Sequence, residues 1–221
     1  MIEYIRAGAA MACLALAATP VASTTATPPT IAAFDDAFAN VRDYTATMTA
    51  HEVLDSKTQD RVYHYWFKRP HQAKIEIASG DGSGSGGVWN GGDRVSGHQG
   101  GFLISKIHLK VDLHDSRAVS LRGYTIPDGL FANEVDKYRE IKGTLTQRQG
   151  PAVNGEGTDE VELKVADPAS NAGVTRMLID LSQKTHMPAR QLRFAGDRKV
   201  SEEIWSDIHL DAGLTDRDFP F

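Results

Sequence analysis

The 221-residue sequence contains a single cysteine, Cys13, close to its start. The rest of the chain therefore has no disulfide framework, no thiol nucleophile and no thiolate metal site. Attachment of a lipid to Cys13 stays open as an alternative, although the preceding Ala10, Met11 and Ala12 lack the leucine that such a site normally contains. The stability of the remaining chain is expected to come from its hydrophobic core.

Long apolar runs are also scarce, and the clearest one is the uncharged stretch at residues 7–18, which follows Arg6. This stretch has roughly the length of the apolar part of an export signal and is too short to cross a bilayer. The small residues at 21–23 suit a signal peptidase. We therefore predict a cleaved signal peptide at 1–23, a disordered linker at 24–30 and a single domain at 31–221 that works in the periplasm.

The chain has no dense block of positive charge, and its formal net charge is −5. Proteins that bind nucleic acid usually carry a basic patch or stripe, so nucleic acid is not expected as a partner. With 41% hydrophobic and 24% charged residues, the composition is that of an ordinary globular chain with one sizeable core. A monomer is expected.

Catalytic and metal-binding motifs are missing as well. None of the eight histidines stands in a His-x-x-x-His or His-Glu-x-x-His pattern, and there is no Gly-x-Ser-x-Gly motif. Glu202 and Glu203 are neighbours in sequence, so their side chains should point in opposite directions on a strand. We therefore predict no catalytic residue, no metal and no cofactor, and the protein is not expected to be an enzyme.

The most informative stretch runs over residues 61–70 (RVYHYWFKRP). Tyr63, Tyr65 and Phe67 alternate with polar or bulky residues, which predicts a strand with one aromatic side. Pro70 cannot donate to a strand ladder, so Arg69 should lie at the rim of this apolar surface. One interpretation is that Arg69 binds a covering helix, and the alternative is an ordinary surface ion pair.

Similar alternation elsewhere predicts about nine to eleven strands, with helices at residues 31–41 and 132–141. The expected strands fall within residues 44–51, 61–70, 73–77, 94–98, 103–113, 161–165, 177–181, 192–194 and 200–208. The expected fold is mainly β (α+β), a strongly curved antiparallel sheet that forms an unclosed β-barrel. The helices would cover its concave apolar face.

Three segments are expected to be irregular or ambiguous. Polar residues 55–60 are predicted to form a hairpin loop, and the glycine-rich residues 80–87 are predicted to form a flexible one. A phosphate-binding loop would end in Gly-Lys-Ser/Thr, which is not the case here. Residues 102–107 fit the start of a strand or a helical turn.

Several motifs together resemble the periplasmic lipoprotein-carrier (LolA-like) outer-membrane lipoprotein-sorting family. They are FANVRDYTATM at 38–48, FKRP at 67–70, VWNGGD at 88–93, and the strand pair at 177–181 and 188–194. The resemblance implies an unclosed barrel around an apolar cavity, helices as a lid and lipoprotein acyl chains as ligand. It also implies that Arg69 contacts the lid and helps to set its opening.

The resemblance and the aromatic face together give a set of candidate ligand-binding residues. They are Arg69, Tyr44, Met48, Tyr63, Tyr65, Phe67, Ile75, Ile77 and Trp89. Each aromatic residue could equally be core, because burial of such side chains stabilises any sheet. Two functions stay open: a carrier for acylated lipoprotein or lipid, with membrane-bound donor and acceptor proteins, and a lipid-sensing or interaction module of the same fold.

Overall fold

The computed structural model describes residues 27–100 and 109–220. Within these ranges the chain forms two α-helices, α1 (Pro29–Phe38) and α2 (Phe131–Glu140), and eleven β-strands. The strands are β1 (Asp43–Leu54), β2 (Lys57–Lys68), β3 (Gln72–Gly80), β4 (Gly86–Trp89), β5 (Arg94–His98), β6 (Leu109–Asp112), β7 (Gly143–Gln149), β8 (Thr158–Val165), β9 (Arg176–Ser182), β10 (Pro188–Ala195) and β11 (Arg198–Leu210).

All eleven strands belong to one antiparallel sheet. Their order is β6-β5-β4-β3-β2-β1-β11-β10-β9-β8-β7. The first and last strands of the domain, β1 and β11, pair in the middle of the sheet, while β6 and β7 are its two edges. The sheet therefore does not close, and the prediction of a mainly β, unclosed antiparallel architecture is confirmed.

One face of the sheet, here called the inner face, carries the large apolar side chains. Tyr44 lies opposite Phe67, and Met48 lies opposite Tyr63 in the register of β1 and β2. All four are buried. Because side chains alternate between the faces of a strand, the hydroxyl groups of β1 lie on the other face, as the alternation predicts.

Both helices pack against the inner face. The Phe38 ring of α1 lies 6.2 Å from the Tyr44 ring, measured between centroids, and the Phe131 ring of α2 stacks on Tyr44 at 4.2 Å. Phe34 stacks on Phe38 one turn along α1 at 5.1 Å. Each helix thus buries one apolar stripe against the sheet, and the predicted helical cover is confirmed.

Two predicted loops are shorter than expected. Asp55 and Ser56 alone connect β1 to β2, with Asp55 in the left-handed region at φ 55°. The hairpin predicted at 55–60 is thus confirmed, but its turn is shorter, because cross-strand contacts such as that between His51 and Asp60 (2.7 Å) pair the polar residues across the two strands. The glycine-rich segment is a loop only between Gly80 and Gly86, the residues at which β3 ends and β4 begins.

Sequence alternation also missed two strands, β7 and the four-residue β4, which is too short to show a period. Strand β7 (GTLTQRQ) lies at an edge of the sheet and is almost entirely exposed, so it has no apolar side to produce a recognisable pattern. The predicted strand at 103–113 is seen only as β6, because its residues 103–108 lie outside the described ranges. Helix α1 begins at Pro29, two residues before the predicted start, with proline at the position that tolerates it best.

Candidate functional site

A cavity of about 470 Å³ lies on the inner face at the end of the sheet formed by β3 to β6. The segment at 116–126, between β6 and α2, forms its other wall. Apolar side chains line both walls: Ile75, Ile77, Val95, Val111, Ala118, Val119 and Ile126. Ser83, Ser85 and His98 add polar groups. The cavity thus offers an aliphatic surface and hydrogen-bonding groups to comparable extents.

Two glycines in the cavity wall lie where neighbouring parts of the chain come close together. Gly87 of β4 and Gly97 of β5 face each other in the register and both line the cavity. A Cβ atom on Gly87 would lie 3.1 Å from Cδ1 of Ile126, and one on Gly97 would lie 2.5 Å from the carbonyl oxygen of Gly86. Glycine at these positions therefore permits a close approach that a larger residue would prevent.

Two arginines line the cavity. Arg61 donates from Nε to the Asp81 carbonyl oxygen at 2.8 Å and from a terminal nitrogen to the Tyr63 hydroxyl at 3.1 Å. Arg117 forms a two-point contact with Asp115, and its guanidinium group lowers the pKa of that carboxyl. Arg61 is the more firmly positioned of the two. One of its partners, Tyr63, lies on β2, and the other, Asp81, lies in the turn after β3.

A smaller chamber of about 40 Å³ adjoins this cavity. Five residues line both spaces: Arg61, Ile75, Ala118, Val119 and Ile126. Three carboxylates and three tyrosines also line the chamber: Glu52, Glu134, Glu203, Tyr63, Tyr65 and Tyr124. We call these two spaces the outer cavity and the inner chamber.

Beside the inner chamber a group of buried charges connects α2 to the sheet. Arg193 of β10 donates to Glu134 of α2 at 2.9 Å and to Glu203 of β11 at 2.8 Å. It also donates to Gln191 at 2.5 Å, and its guanidinium carbon lies 4.4 Å from the centre of the Tyr124 ring. The arginine is 2% exposed, so these partners compensate a charge that water does not reach.

Burial changes the acidity of several groups here. It raises the pKa of Glu134 to about 7, although Lys137 and Arg193 act in the opposite direction. Burial likewise raises the pKa values of the Tyr63 and Tyr65 hydroxyls. The tyrosines are thus neutral donors near neutral pH, and Glu134 is the group whose protonation can change there.

Arg69 binds the end of α1. Its Nε donates to the Val41 carbonyl oxygen at 2.6 Å, and a terminal nitrogen donates to the Phe38 carbonyl oxygen at 2.9 Å. Its guanidinium group also lies 5.0 Å from the centre of the Phe38 ring. The predicted contact between Arg69 and the carbonyl groups of a covering helix is confirmed; its effect on opening stays a prediction.

The other candidate residues separate into groups. Ile75 and Ile77 line the outer cavity. Met48, Tyr63 and Tyr65 line the inner chamber, which Ile75 also borders.

The remaining three candidates line neither space. Tyr44 and Phe67 lie in aromatic contacts beneath the helices. Trp89 donates from its ring nitrogen to the Gly92 carbonyl oxygen at 2.8 Å, at the turn after β4. The structure thus brings five of the nine candidates to the two spaces.

Sequence reasoning missed the residues that complete the site. Val95 and Val111 lie on the strands predicted at 94–98 and 103–113, but alternation does not show that these strands would form a cavity wall together with Ile126. Glu134 and Arg193 do not stand out in the sequence as buried residues, because a charged side chain usually indicates an exposed position. One available signal was Glu203, which does face the inner side while Glu202 pairs with Lys199 on the other.

The structure also bears on metal binding and on membrane insertion. Across residues 27–100 and 109–220, no group of three or more His, Cys, Asp or Glu side chains is arranged to hold a metal ion. Within the same ranges, neither helix has the length and hydrophobicity needed to span a membrane.

Comparison with known proteins gives similarity of structure only. No protein-family model matches the sequence, and no curated protein matches it. Among solved structures, the chain is similar to a LolA superfamily protein from Nitrosomonas europaea (TM-score 0.43, 13% identity, 87% of this chain and 96% of that chain). It is also similar to a putative outer membrane lipoprotein-sorting protein domain from Vibrio parahaemolyticus (0.44, 14%, 86% and 95%) and to lipoprotein LppX from Mycobacterium tuberculosis (0.46, 11%, 85% and 98%). These similarities include the family that the sequence motifs resemble.

Proposed function

We propose that the protein is a periplasmic carrier that binds acyl chains of lipoproteins or other lipids and moves them toward the outer membrane. The observation that carries this proposal is the outer cavity, whose volume of about 470 Å³ falls within the range of about 300–1,000 Å³ usual for small-molecule sites. Its walls combine aliphatic side chains with polar groups, which suits a lipid that has both an apolar chain and a polar end.

The energetics favour such a ligand. Each methylene group moved from water into an apolar site gains about 0.8 kcal/mol, so a chain of several groups is held without any specific polar contact. Release to a membrane then costs little, because the bilayer interior offers the same environment. A cavity that substitutes for lipid in this way suits transfer between a membrane-bound donor and an acceptor.

The two helices supply a means of enlarging the site. Helix α1 is held by Arg69, by the stacking of Phe38 on the inner face and by an exposed ion pair between Asp35 and Arg139 of α2 at 2.5 Å. Movement of α1 would uncover the ring of Phe67, which Phe38 contacts, while Phe131 of α2 stays stacked on Tyr44. In the proposed mechanism the Phe67 ring becomes ligand wall when a longer chain enters and core when it leaves.

A blocking substitution tests the binding site. Ala118→Trp places a large ring where the outer cavity meets the inner chamber, so binding of a fluorescent fatty-acyl probe should weaken at least about tenfold. Thr49→Trp is the matched control, because Thr49 is exposed on the opposite face of β1. Equal binding by both variants, each folded as judged by circular dichroism, would contradict the proposed site.

Arg69→Leu tests the helical lid. The substitution removes two charge-assisted hydrogen bonds to α1 while keeping an apolar stem, so the fold should persist and the opening of α1 should become easier. We expect changed affinity for the acyl probe or faster release to acceptor vesicles, measured at matched thermal stability. Arg42→Leu is a control on a neighbouring exposed arginine that pairs with Asp211. Superimposable curves for Arg69→Leu and wild type would remove the proposed role of the lid.

The proposed location rests on the amino-terminal sequence alone, which lies outside the described residues. Expression of the full chain in a Gram-negative host should give periplasmic material that starts near Thr24, as measured by intact-mass spectrometry. Material that retains Met1, or that carries a lipid on Cys13, would contradict a soluble periplasmic carrier.

A further inference from the structure

The outer cavity is lined by positive charge without negative charge. In the whole chain, Asp and Glu outnumber Lys and Arg by 29 to 24. Among the described residues that line the outer cavity, by contrast, the charged side chains are those of Arg61 and Arg117, and neither Asp nor Glu is present. A positive potential beside aliphatic side chains suits an amphiphile with a negatively charged end.

The two arginines differ in how their charge is compensated. Arg117 forms two hydrogen bonds with the Asp115 carboxylate, at 2.8 and 2.7 Å. Arg61 donates instead to two uncharged oxygens, the Asp81 carbonyl at 2.8 Å and the Tyr63 hydroxyl at 3.1 Å. Within residues 27–100 and 109–220, Arg61 forms no ion pair with a carboxylate. Since Arg61 is also half-buried, an anion from outside the protein is the partner that its charge lacks.

The unused end of the Arg61 guanidinium group lies beside the glycine-rich loop between β3 and β4. A Cβ atom on Gly82 would lie 3.7 Å from Nη2 of Arg61 and 3.8 Å from Oγ of Ser85. Nη2 donates no hydrogen bond to the described residues. Oγ of Ser85 accepts one from the Gly100 backbone at 2.8 Å, so the serine hydroxyl hydrogen can donate to a ligand. Two donors therefore converge on the space that the absent side chain of Gly82 leaves open.

The aliphatic wall begins next to these donors. The same Cβ position on Gly82 lies 3.5 Å from Cδ1 of Ile77 on β3. Val95 on β5 and Val111 on β6 continue the wall toward the edge of the sheet. A ligand with one polar end can therefore place that end at Arg61 and extend its chain along these strands.

The adjoining inner chamber does not suit an anion. Three carboxylates line this chamber, those of Glu52, Glu134 and Glu203, and none of them lines the outer cavity. Like charges repel one another most strongly where water is partly excluded. A negatively charged end group is therefore expected to stay on the outer side of Arg61, beside Gly82.

We infer that the outer cavity binds an anionic lipid, whose carboxylate or phosphate group lies against Arg61 and Ser85. The hydrocarbon chain lies along Ile77, Val95 and Val111. This inference rests on the proposed carrier function and adds a charge preference to it. A guanidinium group suits either anion, because its planar array of N–H donors matches the oxygens of carboxylates and phosphates.

Competition among four ligands with the same dodecyl chain length tests the inference on the wild-type protein. Dodecanoate, dodecyl phosphate, methyl dodecanoate and dodecyltrimethylammonium would each displace a neutral fluorescent naphthylamine dye, at neutral pH and below the concentrations at which they form micelles. We expect the two anions to bind at least about tenfold more tightly than methyl dodecanoate, the factor that a hydrogen bond to a charged group supplies. Non-specific attraction to a chain of net charge −5 would favour the ammonium ligand instead.

Arg61→Met locates the effect. The variant keeps an apolar stem but has no charge, so the preference for the anions over methyl dodecanoate should disappear. Arg61→Lys keeps the positive charge and should still bind the anions more tightly than the ammonium ligand. Arg94→Met is the matched control, because Arg94 is an exposed arginine of β5 that does not line the outer cavity. If Arg61→Met does not fold, the competition on the wild-type protein still decides.

The outcomes separate this inference from the carrier proposal. Equal binding of all four ligands, or tighter binding of the ammonium ligand, would overturn the inference and leave the carrier in place. A preference for the anions that survives in folded Arg61→Met would also overturn it. If both anions bind more tightly than the ester, the inference holds, and the tighter of the two distinguishes a fatty acid from a lipid phosphate. If none of the four ligands binds, the proposed function fails and the inference fails with it.

Discussion

The inner face behaves differently on the two sides of β3. Under α1 and α2, the Tyr44 ring stacks on Phe131 and meets Phe38 edge to face, and all three are at most 5% exposed. Toward β6, the same face is lined by glycine, alanine and valine, and a cavity of about 470 Å³ remains. We call these the packed region and the cavity region.

The comparison shows that the cover of the sheet, and not its strand order, distinguishes core from cavity on this face. Both regions belong to one continuous antiparallel sheet with an uninterrupted order of strands. In the packed region aromatic rings from the helices fill the space above the strands. In the cavity region no residue of either helix lines the space, and a cavity remains. A sheet can therefore contain a stable core and a ligand site side by side.

The largest expected effect follows from removing a ring of the packed region. Phe131 is fully buried and contacts both Tyr44 and Trp205, so Phe131→Ala should lower the free energy of unfolding by about 3–5 kcal/mol. Val111→Ala, in the cavity region, removes a side chain that already borders empty space and should cost less than about 1 kcal/mol. Urea unfolding measures both, and equal losses would contradict the distinction between the regions.

A second prediction concerns Glu134, which lies between the regions. Burial raises its pKa from 4.5 to about 7, so the native state binds more protons than the unfolded state between these values. The free energy of unfolding should therefore fall as pH rises from about 5 to about 8, by on the order of 2 kcal/mol from this group. The charges that face it are Lys137, Arg193 and Glu203.

Glu134→Gln isolates this effect, because the amide does not titrate. The variant should lose the decrease in stability over this pH interval, as measured by urea unfolding at pH about 5.5 and about 7.5. Asp136→Asn is the control, since Asp136 lies on α2 in an exposed pair with Arg139. A pH dependence that is the same in wild type and Glu134→Gln would show that Glu134 is already ionised at the lower pH.

Much of the packed region could be predicted from sequence. Alternation in β1 and β2 places apolar side chains on one face of the sheet, and the spacing of Phe34 and Phe38 does the same for α1. The predicted start of α1, residue 31, lies two residues from the observed start. The Arg69 contact was predicted from the strand ending at Pro70. These features are local, since each depends on a period within one or two elements.

The cavity region could not be predicted in this way. Its wall is assembled from Val95, Val111 and Ile126, which are distant in sequence. Alternation predicts strands around Val95 and Val111, but it does not predict that they meet the segment that contains Ile126. The buried contact between Glu134 and Arg193 joins residues 59 positions apart, and neither residue differs in sequence from an exposed one. Such features depend on the topology that brings the elements together, which a single sequence does not specify.

The smallest expected effect compares one enlargement in each region. Ala46 is 5% exposed and lies opposite Tyr65 beneath the packed rings, so Ala46→Leu should overfill its site and cost about 1–3 kcal/mol. Ala118 borders the outer cavity, where a leucine finds space, so Ala118→Leu should change the free energy of unfolding by less than about 0.5 kcal/mol. The same change of residue is thus expected to be costly in one region and nearly neutral in the other. Thermal and urea unfolding of both variants measure the difference, and a similar loss in the two would mean that the cavity region is as tightly packed as the region under the helices.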